Sequence, residues 1–85
     1  MIERIIEIKN DIGLHSRYAT SFVKKANEFK SMIQIIKEDD QADAKDILEI
    51  LALGIVKGSK IKLIVSGTDE DTAMERLSKF LTELN

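Results

Sequence analysis

The chain has 85 residues, 44% of them hydrophobic and 33% charged, a balance expected of one soluble globular domain and not of a disordered tail or multidomain enzyme. Thirteen basic against fifteen acidic side chains leave a net charge of −2, which argues against a dedicated nucleic-acid binder. There is no cysteine, which excludes disulfides and thiolate chemistry, and no apolar run approaches the ~18 residues that span a bilayer.

Met1 runs directly into Ile2 without a signal-peptide pattern, so a cytoplasmic location is expected. Lacking proline, Ser/Gly-rich linkers and internal repeats, residues 1–85 read as one domain. A fold this small buries only about two-thirds of its unfolded surface, so any site is expected to be shallow.

In chain order, Ile2, Ile6 and Ile8 alternate with Glu3, Glu7 and Lys9, while Arg4 and Ile5 interrupt the pattern. That alternation predicts a half-buried first strand, ended by Asn10-Asp11-Ile12-Gly13. From Ser16 the period lengthens, and Ala19, Phe22, Val23, Ala26 and Phe29 share one face of a helix over about 16–28. Lys24, Lys25 and Glu28 fall on the opposite face. The Ile-rich run Met32 to Lys37 predicts a strand, Glu38-Asp39-Asp40 a solvated turn, and residues 41–44 a weak edge strand.

Asp46-Ile47-Leu48-Glu49 has the form of an acidic helix cap with glutamate three positions on, and the short helix it opens must stop by Gly54. Ile61, Leu63 and Val65 alternate with Lys60 and Lys62 in a last strand closed by Ser66-Gly67. Thr68-x-x-Asp71 resembles a capping box, and Ala73, Leu77, Phe80, Leu81 and Leu84 form the stripe of a final helix. The order βαββαβα, with half-polar strands and a hairpin-like pair in the middle, predicts an α+β fold. Its four strands form an antiparallel sheet, with three helices on one face.

One histidine, His15, stands in the turn Gly13-Leu14-His15-Ser16-Arg17 that leads into the first helix. A helix N-terminus presents unpaired backbone N–H groups and about half a positive charge, which favours a phosphoryl group or another anion. Arg17 adds a permanent cation, and a neutral imidazole nitrogen is a competent nucleophile, so the layout fits reversible phosphorylation. The competing reading is a surface turn histidine without chemistry. Nothing here has the spacing of a P-loop, a calcium loop or a hydrolytic triad, so no metal, no cofactor and no autonomous enzyme activity are expected.

Taken together, Gly13-Leu14-His15-Ser16-Arg17, Ala19-Thr20, Asp46-Ile47-Leu48, Leu53-Gly54-Ile55-x-Lys57-Gly58 and Ser66-Gly67-x-Asp69-Glu70 resemble the histidine-containing phosphocarrier (HPr) family of the bacterial sugar phosphotransferase system. The resemblance spans nearly the whole chain and implies the HPr-like open-faced sandwich. It implies that His15 accepts a phosphoryl group from Enzyme I, on the ring nitrogen nearer the backbone, and passes it to Enzyme II A domains. Arg17 would be the charge partner and Ser16 the helix cap. Lys24 would meet acidic partner surfaces, and Ile47, Leu48 and Leu51 would form the docking patch. The patch also has independent support, because a short helix with apolar residues on every side cannot bury them all in one small core.

The chain departs from the family pattern twice. Tyr18 stands where proline normally follows the arginine, and Asp46 takes the place of a serine that, in low-GC Gram-positive members, is phosphorylated by a kinase to control carbon catabolite repression. Asp46 has no hydroxyl to accept phosphate; it is either an exchanged helix cap or a built-in charge resembling the phosphoserine. The departures leave open a regulatory HPr-like interaction module, which binds a catabolite-control transcription factor or an enzyme and carries little phosphoryl flux.

Overall fold

The strand periodicities select a single buried face. In the computed structural model, which describes residues 1–84, strands β1 (Ile2–Glu7), β2 (Met32–Lys37), β3 (Asp40–Asp43) and β4 (Lys60–Ser66) form one sheet in the order β1-β4-β2-β3. Asn85, the last residue of the expected domain, lies outside the described residues. All three strand pairings are antiparallel. Register places Ile6 opposite Ile61, Ile33 opposite Val65 and Ile35 opposite both Leu63 and Ala42, so these side chains share the inner face. Helices α1 (Ser16–Ala26), α2 (Ile47–Ala52) and α3 (Glu70–Thr82) cover that face, giving the βαββαβα open-faced sandwich.

Phe22 from α1, Ile50 from α2 and Leu77 and Leu81 from α3 complete a continuous apolar core. The opposite sheet face is left to solvent: Ile5, which interrupts the first strand's alternation, is 68% exposed there and pairs across with Lys62.

Local signals locate the elements but shift several ends: β1 stops at Glu7, short of the expected Asn10 turn, and β3 is Asp40–Asp43, one residue earlier than the expected 41–44. Helix α1 ends at Ala26, two residues before the expected 28, because Asn27 caps it and donates its side-chain N–H to Val23 O at 2.8 Å. Gly54, with φ +63, follows the last turn of α2 as expected of a left-handed helix stop. The predicted Thr68…Asp71 capping box does not form. Asp69 is the N-cap of α3, and its carboxylate is taken by Lys30 and Ser31, far away in sequence. Glu70 reaches back instead and accepts the Gly67 N–H at 3.1 Å.

Candidate functional site

The loop before α1 is shaped by close backbone approach. Gly13 has φ +74, and a methyl group there would lie 2.5 Å from Ile55 O and 2.6 Å from Val56 Cα, so only glycine fits. Asn10 closes the loop by donating its side-chain N–H to Gly13 O at 3.0 Å, and Leu14 N–H donates to Ile55 O at 3.0 Å. The His15 turn is thereby tied to the segment after α2. Two separate sequence signatures, Gly13-Leu14-His15 and Gly54-Ile55, meet at one surface.

His15 is exposed and is itself the N-cap of α1, in extended backbone conformation. Its carbonyl accepts from Ala19 N–H at 2.7 Å, while its side chain makes no capping hydrogen bond. Ser16 was expected as the cap. It is instead the first helical residue, because the chain turns helical one residue earlier than its hydroxyl could serve, and its carbonyl accepts from Thr20 Oγ1 at 2.7 Å. The backbone N–H groups of Ser16 and Arg17 therefore stand in the first turn, where no intrahelical carbonyl reaches them. Arg17 is exposed beside them, and no acidic side chain occupies this turn, so the local field is positive.

Lys24 is exposed in the last turn of α1, together with Lys25, whose ammonium sits over the Phe80 ring at 5.7 Å. On α2, Leu48 is 75% exposed and Leu51 39%, while Ile47 is half-buried against the core. Of the large apolar side chains on α2, Leu48 and Leu51 are thus the exposed ones. Ile12 and Val56, on either side of the Gly13 contact, are 49% and 56% exposed. In the sequence these two carry no signal beyond an apolar residue in a glycine-containing loop.

Asp46 is the N-cap of α2, and one carboxylate oxygen accepts from Leu48 N–H at 3.0 Å and Glu49 N–H at 3.2 Å. Glu49 turns away from the capping-box position and accepts the Asp43 N–H at 2.9 Å. A groove of about 530 Å³ lined by Arg4, Glu7, Lys9, Glu75, Lys79 and Leu81 holds none of these site residues. Among the described residues no group of three or more His, Asp or Glu side chains is placed to hold a metal ion, and no helix is long and apolar enough to cross a membrane.

A family profile described as "PTS HPr component phosphorylation site" matches residues 2–83. The phosphocarrier protein HPr of Buchnera aphidicola subsp. Schizaphis graminum is 45% identical over 84 residues, covering 99% of both chains. The HPr-like protein Crh of Halalkalibacterium halodurans is 43% identical over 81 residues, covering 95% of this chain and 96% of its own. The crystal structure of HPr from Thermoanaerobacter tengcongensis superposes with a TM-score of 0.93 at 40% identity, covering 96% of this chain and 92% of that one. With an exposed histidine at the head of α1 and a match over nearly its whole length, the chain belongs to the HPr phosphocarrier family of the sugar phosphotransferase system.

Proposed function

We propose that His15 is the phosphoryl acceptor, taking its phosphoryl group from phosphorylated Enzyme I and delivering it to Enzyme II A domains. The observation that carries this reading is the placement of the chain's one histidine, exposed and with no side-chain capping bond, at the N-cap of α1. In the transfer, the lone pair of the neutral imidazole Nδ1 attacks phosphorus while the bond from phosphorus to its Enzyme I carrier breaks and its electron pair stays with the carrier. The proton remains on Nε2. Developing charge on the three phosphoryl oxygens is met by the first-turn N–H groups and the Arg17 guanidinium. Return transfer needs only a second carrier in line with the same bond, and exposure of His15 leaves that approach open.

Leu48 and Leu51 supply an apolar contact for both partners, and Lys24 meets their acidic side chains. Over residues 1–85 the chain acts as one domain, a carrier and not a catalyst. Incubation with Enzyme I and phosphoenolpyruvate tests the reading: an acid-labile label is expected, and His15→Ala should abolish it. An acid-stable label, or one retained in that variant, would overturn it.

A second reading has one observation in its favour. Asp46 places a fixed negative charge at the head of α2 beside exposed Leu48, where a regulatory module would carry one. Its carboxylate is already engaged in capping, and an exposed His15 favours the carrier role.

A further inference from the structure

His15 makes no side-chain capping bond that could orient its imidazole, yet transfer in line with phosphorus requires one ring nitrogen to face the helix N–H groups. Three residues on, one helical turn away, stands Tyr18, where it can share a face with the cap residue. The two rings lie 6.1 Å apart, centroid to centroid, tilted by 37°, within the range in which aromatic pairs attract. The partners are unequal. Tyr18 is half-buried and packs against the core, so its ring is held, whereas His15 is exposed and lacks such packing. A held ring beside an exposed one restrains the exposed one.

We propose that Tyr18 is a positioning residue for His15, a platform that holds the imidazole in one orientation at the head of α1. The proposal rests on the phosphocarrier reading above and adds to it a reason for an aromatic residue at position 18. Its size follows from rotamer counting: three χ1 wells and a roughly two-fold χ2 leave an unrestrained imidazole in any one orientation about one-sixth of the time. Losing the platform should therefore reduce the competent fraction by about three- to sixfold, with little effect on partner affinity.

The test combines side-chain NMR with steady-state kinetics on the whole chain as substrate of Enzyme I. In the wild type, the His15 three-bond couplings should report one χ1 rotamer, and its Hδ2 and Hε1 resonances should carry a ring-current shift. Tyr18→Phe should keep both signatures and a kcat within about twofold of wild type, because it keeps the ring. Tyr18→Leu should average the couplings, abolish the ring-current shift and lower kcat about three- to sixfold at nearly constant KM. Tyr18→Met is a second ringless variant should the first not fold, and the wild-type couplings decide independently of either. Averaged couplings in the wild type, or a folded ringless variant with wild-type kcat, would overturn the proposal while leaving His15 as acceptor. A wild type that takes no label at all would overturn the phosphocarrier reading and this proposal with it.

Discussion

The Asp69 carboxylate accepts hydrogen bonds from both the hydroxyl and the backbone N–H of Ser31, and so fastens the head of α3 to the segment entering β2. The Lys30 N–H adds a third bond at 2.8 Å. The Ser31 hydroxyl, with the Lys30 N–H, holds the Asp69 carboxyl below the usual carboxylate range. Glu70 is lowered as well, first by the Gly67 N–H and then by the Met1 ammonium.

Both groups bind their proton less readily folded than unfolded, so the stabilisation is present above the ordinary carboxylate value of about 4 and is lost as pH falls through the depressed folded values. Melting temperature measured against pH should drop on the acid side of that value, and Asp69→Ala should flatten part of the drop. At neutral pH the same variant should melt lower than wild type, since three accepted hydrogen bonds disappear. An unchanged acid limb in Asp69→Ala would mean that other groups govern it.

This pin also shows where local sequence reading stops. Alternation of Ile61, Leu63 and Val65 with lysines, and the stripe Ala19, Phe22 and Ala26, are set by one short segment facing one core, and both were legible. The head of α3 was misread because Thr68 and Asp71 look like a local cap, while Asp69 answers to Ser31, 38 positions away. The strand order β1-β4-β2-β3 is likewise a matter of distant pairing that no single segment encodes. At the site, His15 was legible from its place beside Gly13 and Arg17. Its capping role was not, because residue type alone favoured Ser16. Ile47 was grouped with Leu48 by spacing, and only packing separates the half-buried residue from the exposed one.

Gly13→Ala forces a side chain into the backbone of Ile55 and Val56 at a positive φ. It should destabilise the chain by about 1–3 kcal/mol in urea unfolding. It should also slow phosphoryl acceptance more than that loss explains, since the His15 turn must move. Wild-type stability in this variant would show that the loop yields without strain.

Leu48→Asp should leave the fold intact, with unfolding free energy within about 0.5 kcal/mol of wild type, because the side chain is 75% exposed. Titration calorimetry with Enzyme I should show affinity weakened by about tenfold or more. Ile50→Asp, at a fully buried position on the same helix, should unfold the protein and serves as the contrast. Unchanged affinity for Leu48→Asp would remove α2 from the docking surface.

Asp46 combines a cap and a charge, and two substitutions separate them. Asp46→Ala should lower stability by about 1 kcal/mol through loss of the bonds to Leu48 and Glu49. Asp46→Asn retains a capping oxygen and removes the charge; if the charge hinders docking, phosphorylation of His15 should quicken by up to roughly tenfold. Equal rates for Asp46→Asn and wild type would leave Asp46 as a cap alone.

The most direct test of the carrier assignment is nitrogen-15 and phosphorus-31 NMR of the imidazole-labelled chain after incubation with Enzyme I and phosphoenolpyruvate. The account predicts a single phosphorus bonded to His15 Nδ1, disappearing in acid and on addition of an Enzyme II A domain. A phosphorus bonded elsewhere in the chain, or an imidazole spectrum unchanged by active Enzyme I, would contradict it.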